Sequence, residues 1–225
     1  MTLIIAAQGD GFIVAAADTR ETVDAGAIRV EVNIAEKLVM LTPHTAVLFC
    51  GDSGYAQNII ARYQAKIAGQ RELGVTPLAD DFAIFCQEEA KKTVGVPTFS
   101  RVKPYRNFPD IGFVLGGLDK AGRKFTQPRC YGLSSWTGYR LELGGGGFVL
   151  DGKPMLARYL FAHHYRAGMD IGSLCDLVIR CLYDTSRVDG DVGGKYRLAI
   201  ILPDEVRLKH ELEIEEMIND ADLRW

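Results

Sequence analysis

The stretch Thr2-Leu3-Ile4-Ile5-Ala6-Ala7-Gln8-Gly9-Asp10-Gly11-Phe12-Ile13-Val14-Ala15-Ala16-Ala17-Asp18-Thr19-Arg20 carries two β-like runs, Thr2–Ala7 and Phe12–Ala17. Between them, Gln8-Gly9-Asp10-Gly11 supplies the glycines of a tight hairpin. A second hairpin is expected from Lys37–Leu41 and Thr45–Cys50 around Thr42-Pro43-His44. Gly51-Asp52-Ser53 then reads as a strand-to-helix turn with a polar N-cap, and Ile59, Ile60, Tyr63 and Ile67 follow at helical spacing.

Further along, a second helix is expected over 76–94, opening at Thr76-Pro77 with Phe82, Ile84, Phe85 and Ala90 available for a buried face. Residues 95–110 (GVPTFSRVKPYRNFPD) read as a proline-bearing, locally basic solvated connection. The second half repeats the order of the first. Strands are expected at Ile111–Leu118, Arg123–Pro128 and Thr137–Leu143, ending in Gly144-Gly145-Gly146-Gly147. Helices near Lys153–Ala167 and Ile171–Arg187 come next, then strands Tyr196–Leu202 and Val206–His210 and a polar helical tail to Trp225.

Strands, helix pair, strands, helix pair, strands is not the β-α-β alternation of a doubly wound sheet. The economical arrangement is an α+β fold of two antiparallel sheets packed face to face, with helix pairs on the outer sides. A single domain over residues 1–225 is expected, and no internal repeat suggests a solenoid.

Composition narrows the function classes. The chain is 48% hydrophobic, so it can bury enough apolar surface to fold. It carries 26 basic and 29 acidic residues, a formal charge of −3, and has no basic excess with which to neutralise nucleic-acid phosphates. Cys50, Cys86, Cys130, Cys175 and Cys181 are odd in number and contain no C-x-x-C pair, which points to buried thiols in a reducing compartment rather than zinc or disulfides. The opening residues have no basic n-region, and Asp10 interrupts the apolar run, so neither a signal peptide nor a membrane span is expected there. Cytoplasm is the expected location. His163 and His164 are helical neighbours about 100° apart and do not face one ligand; neither a metal nor a phosphate-binding motif is expected, and no cofactor.

Hairpin arithmetic locates candidate chemistry. If the first hairpin centres near Asp10, Thr2 lies across from Asp18. If the second centres between Pro43 and His44, Lys37 lies across from Cys50, beside Gly51. A slip of one residue moves the pairing but not the neighbourhood. Were the two hairpins adjacent in one sheet, Thr2, Asp18, Lys37 and the Gly51 amide would share a pocket. That set suits an N-terminal nucleophile. A threonine hydroxyl needs a base, and removal of Met1 gives Thr2 its own, an α-amine with an ordinary pKa of about 7.7–8.0. Lys37 would lower the pKa of groups around it, Asp18 would hold the lysine charged and oriented, and the Gly51 N–H suits an oxyanion.

With ThrLeuIleIle at 2–5, AlaAlaAspThrArg at 16–20, GluLysLeu at 36–38 and CysGlyAspSerGlyTyrAlaGln at 50–57, the chain resembles a proteasome β-type subunit of the N-terminal-nucleophile hydrolase superfamily. The likeness continues through ValLeuGlyGlyLeuAsp at 114–119, the glycines at 144–147, AspLeuValIleArg at 176–180 and AspGlyAspValGlyGly at 189–194. The resemblance implies a four-layer αββα fold, assembly into a homo-oligomeric ring, and hydrolysis of peptides or unfolded proteins by Thr2. It also implies roles for Arg20, which follows the acid, and for Asp189, which falls where the family has an aspartate supporting the threonine amine. Where the family has serines near that amine, this chain reads Gly145 and Val192. The start at Met1-Thr2 is similar to that of the bacterial ring protease that works with an ATP-dependent unfoldase, and of the ancestral β subunit. Two other readings stay open: a catalytically silent structural or regulatory ring subunit, and an amidase or transpeptidase acting on a specific small amide.

Overall fold

The computed structural model describes residues 2–25, 28–33, 35–70, 72–94 and 108–222. Most of the connection expected over 95–110 lies outside the described residues. The chain is mixed α+β, with five helices and three antiparallel sheets among the described residues.

Strands β1 (Leu3–Gln8) and β2 (Ile13–Asp18) form the expected first hairpin. Next comes a hairpin that the sequence reading passed over, β3 (Glu21–Ala25) with β4 (Ile28–Val32), which stands as a two-stranded sheet. Its β-branched residues at Thr22, Val23, Ile28, Val30 and Val32 were the available signal. Strands β5 (Leu38–Thr42) and β6 (Thr45–Gly51) follow. Helices α1 (Ser53–Lys66) and α2 (Val75–Val94) come next, α1 capped by the Asp52 carboxylate accepting from Tyr55 N at 3.0 Å.

The second half holds β7 (Ile111–Ala121) and β8 (Lys124–Ser134), then β9 (Glu142–Leu143) and β10 (Phe148–Gly152). One expectation is corrected here. The strand expected over Thr137–Leu143 shrinks to two residues, because Ser135–Thr137 makes a single 3-10 turn closed by Gly138 in the left-handed region. Phe148–Gly152, to which the sequence reading assigns no element, is a strand. Pro154, which cannot donate to a helix, sets the start of α3 (Met155–His164) behind it. Helix α4 (Ile171–Val188), strands β11 (Tyr196–Ile201) and β12 (Val206–Lys209), and helix α5 (Glu211–Asp222) complete the chain.

One five-stranded sheet has the order β10-β1-β2-β11-β12 and the other β5-β6-β7-β8-β9. The two hairpins, whose adjacency in one sheet was the condition for a shared pocket, belong to different sheets. Strand parity sorts the core. Leu3, Ile5, Ala7, Val14 and Ala16 pack in one cluster with Phe161, Leu174, Val178 and Leu182 of α3 and α4. Val47, Phe49, Phe113 and Leu115 pack with Ile59, Tyr63, Leu78 and Phe82 of α1 and α2. The remaining parity, Ile4, Ala6, Ile13 and Ala15 from one sheet and Ala46, Leu48 and Val114 from the other, forms a third cluster drawing on both. No helix among the described residues is long and apolar enough to cross a membrane.

Candidate active site

Chain geometry gathers several strand ends at one place: Thr2 before β1, Asp18 at the end of β2, Lys37 before β5, and Gly152-Lys153 at the end of β10. The register differs by one from the expectation in both hairpins. Ile4 pairs with Ala17, so Leu3 rather than Thr2 lies across from Asp18, because the loop is the four residues Gly9–Phe12, closed by Gly9 N donating to Phe12 O at 2.9 Å. Leu38 pairs with Leu48, so Lys37 lies across from Phe49, because a bulge between Met40 and Thr42 shifts the ladder. Phe49 N donates to Lys37 O at 3.1 Å.

The side chains meet nonetheless. Lys37 Nζ, almost fully buried, donates to Thr2 Oγ1, to Arg20 O and, at 3.5 Å, to Asp18 Oδ1. An ammonium has three protons, and all three are used. Asp18 is fully buried. Its Oδ1 accepts from Leu3 N at 3.0 Å, and its Oδ2 accepts from Arg20 N at 3.2 Å and Gly193 N at 3.1 Å. Burial pushes the Lys37 pKa down and the Asp18 pKa up; each charge opposes the shift of the other, and the three backbone N–H groups further hold Asp18 as the carboxylate. Lys37 and Asp18 form a buried ion pair in which the lysine proton is held less tightly than in water.

Thr19, Lys153 and Asp191 are given no role by the sequence reading. Buried Thr19 donates through Oγ1 to Asn33 O at 3.1 Å and accepts from Lys195 N at 2.9 Å, and its carbonyl receives Ala35 N, so it sets the path of the chain into Lys37. Lys153 N donates to Thr2 O at 2.8 Å. Lys153 Nζ lies 3.3 Å from both Asp189 Oδ2 and Asp191 Oδ2. Asp189, the C-cap of α4, also accepts from Asp191 N at 3.0 Å, so among the described residues it is tied to Thr2 through Lys153. Arg20 Nη1 donates to Gly190 O at 2.7 Å and Nε lies 3.7 Å from Glu31, which props the same 189–194 turn. Val192 is fully buried in the apolar cluster.

The glycine loop is corrected. Gly144–Gly147 lies at the other end of β1, where Gln8 N donates to Gly147 O, and Gly145 is exposed with nothing near its Cα hydrogens. The turn against Thr2 is Gly152-Lys153 instead, since β10 runs antiparallel to β1 from Phe148 opposite Ala7 to Gly152 opposite Leu3. Gly152 has φ +88° and a Cβ there would strike Thr2 O; Gly51, which ends β6, has φ +93° and a Cβ there would strike Asp110 O. Gly51→Ala and Gly152→Ala are each expected to cost about 2 kcal/mol or more in urea unfolding. Gly145→Ala is expected to stay within about 0.5 kcal/mol of the parent.

Cys50 is buried beside this end of the sheet, and burial raises its thiol well above the usual range, which keeps it protonated and a poor nucleophile. All five cysteines are free and buried. Among the described residues no group of histidine, cysteine and carboxylate side chains is arranged to hold a metal. The chain matches no known family model and no curated protein.

Proposed function

We propose that the chain is a threonine-type amide hydrolase of the proteasome β-type class, with Thr2 as nucleophile once Met1 is removed. The observation that carries this reading is the contact of Lys37 Nζ with Thr2 Oγ1, with the Asp18 carboxylate behind the lysine. The parity of the three core clusters supports the finer fold reading, a four-layer αββα sandwich in one domain.

In this mechanism the freed Thr2 amine takes the proton of Oγ1 as Oγ1 attacks the substrate carbonyl carbon. The Lys37 ammonium lowers the cost of the developing oxygen charge, and Asp18 keeps the ammonium in place. The Gly51 N–H receives the oxyanion. Collapse breaks the C–N bond, the amine proton goes to the leaving nitrogen, and water then hydrolyses the Thr2 ester by the reverse sequence. The substrate is a peptide or unfolded protein, met inside a homo-oligomeric ring in the cytoplasm, with an ATP-dependent unfoldase as feeding partner. The wholly buried Val192, where a hydroxyl would serve the amine, favours a second reading, a silent ring subunit.

The test is hydrolysis of fluorogenic peptides, set against a panel of small amides, by Met1-free protein. Peptide turnover that falls about 10³-fold or more in Thr2→Ala is the expected result. Turnover confined to the small amides would replace the substrate class, and none at all would favour the silent subunit.

A further inference from the structure

We propose that the slot between the free edges of the two five-stranded sheets binds a short peptide with free termini, a tripeptide laid along β10 as an added antiparallel strand. β10 closes one sheet and β9 the other, so each has one side without a neighbour. The slot between them measures about 340 Å³, and Glu142, Gly145, Phe148, Leu150, Asp151 and Arg158 are among the residues that line it. Clefts that hold small ligands begin at about 300 Å³.

The backbone of β10 points to an extended ligand. Gln8 N donates to Gly147 O and Lys153 N donates to Thr2 O, so the odd-numbered residues of this run turn their backbone groups toward β1. Phe148 and Leu150 therefore turn theirs to the open edge that borders the slot. Leu150 is only 6% exposed, yet among the described residues its N–H and C=O find no partner. Buried backbone groups are rarely left so, and an added strand is the usual way to satisfy a free edge. Phe148 and Leu150 stand about 7 Å apart along the strand, the span of a tripeptide. Gly145 leaves one end of the slot open, since no atom lies within 4 Å of where its Cβ would stand.

Charge fixes the direction. Arg158 comes from α3, Glu142 from β9 and Asp151 from β10, and among the described residues none of the three makes an ion pair. Asp151 points between the sheets, where a Cβ at Gly112 would strike its carboxylate, and it feels the charges of both Arg158 and Glu142. Phe161, one helical turn past Arg158, packs on Phe148 with ring centroids 4.6 Å apart, so the arginine lies back along β10 from Asp151. An ammonium at Asp151 and Glu142 and a carboxylate gripped by Arg158 make the ligand run antiparallel to β10. Peptides with free termini are what the hydrolase proposed above releases, but the slot involves neither Thr2 nor Lys37 and stands on its own geometry.

The experiment is calorimetry of trialanine against full-length Thr2→Ala protein, which keeps the slot and cannot cut the peptide. Saturable binding below about 10 mM is expected, together with shifts of the Phe148 and Leu150 amide signals in NMR spectra of labelled protein. Trialanine amide, acetyl-trialanine and trialanine N-methylated at its third residue should each bind about tenfold more weakly, the last because it cannot donate to Phe148 O. Arg158→Met should weaken trialanine about tenfold and leave trialanine amide unchanged, and Glu142→Gln should weaken trialanine and spare acetyl-trialanine. Absence of binding, as when a second copy of the chain covers the edge, overturns the proposal, and so does binding that Arg158→Met leaves unaltered. With the Thr2 hydroxyl removed, each result holds whatever the turnover of the parent.

Discussion

Lys37→Met lowers kcat by about 10³-fold or more while the helix content of the protein persists. The substitution keeps most of the aliphatic stem in a site that is almost closed to water, so it removes a charge without opening a large cavity. Asp18 retains three backbone N–H donors, from Leu3, Arg20 and Gly193, and does not become an orphaned charge. Thr2 Oγ1 loses its cationic partner, and in Met1-free protein the Thr2 amine is expected to lose a nearby positive charge that eases its deprotonation. The pH profile follows with a definite sign. The acid limb of the parent reports the amine and moves to higher pH in Lys37→Met. The alkaline limb reports loss of the Lys37 proton, and because burial lowers that pKa, the limb falls below the ordinary lysine value of about 10.4. Rates of the variant within tenfold of the parent, or an unmoved acid limb, would assign the activation of Thr2 to another group.

Asp18→Asn carries the largest expected stability effect. The two carboxylate oxygens accept three backbone N–H groups and face Lys37, so an amide at this position turns its own NH₂ toward donors whichever way it is placed. It also leaves Lys37, buried, without an anion. Breaking a buried pair by removing one partner costs about 3–5 kcal/mol. For a chain of this length that amounts to a Tm lower by about 10 °C or more in a thermal melt. Because Gly193 N is one of the donors, the 189–194 turn loosens as well, and turnover falls together with stability. A Tm within about 2 °C of the parent would show that the carboxylate is not an anchor.

Much of the fold was legible in the chain because burial follows parity. The runs 3–7 and 13–17 are apolar at every position, and both faces of that hairpin are covered. Asp52, Ile59, Ile60 and Tyr63 announce α1 by cap and period together. The site residues Thr2, Asp18 and Lys37 were legible for a different reason. Each stands at the open end of a strand that a short turn brings back, and a one-residue slip alters which atoms pair without separating the ends.

Less legible was everything that depends on which strand lies beside which. Lys37 reaches Thr2 from a strand in the other sheet, a relation that local arithmetic does not contain. Four consecutive glycines drew attention to Gly145, yet the chain spends five further residues, Phe148–Gly152, returning along β1 before it meets Thr2. The apolar Phe148-Val149-Leu150 ahead of Gly152 and Pro154 was the signal for that strand. Lys153 and Asp191, ordinary surface residues by sequence, acquire their meaning from the antiparallel pairing that sets them beside Thr2 O and Asp189.

The most direct measurement is the mass of the N-terminal peptide after Met1-free protein is treated with a peptide epoxyketone, a reagent that closes a ring through the hydroxyl and amine of one residue. An adduct confined to Thr2, and lost in Lys37→Met, is the predicted result. A fully unmodified Thr2 with a free amine would contradict the assignment of this residue as the nucleophile.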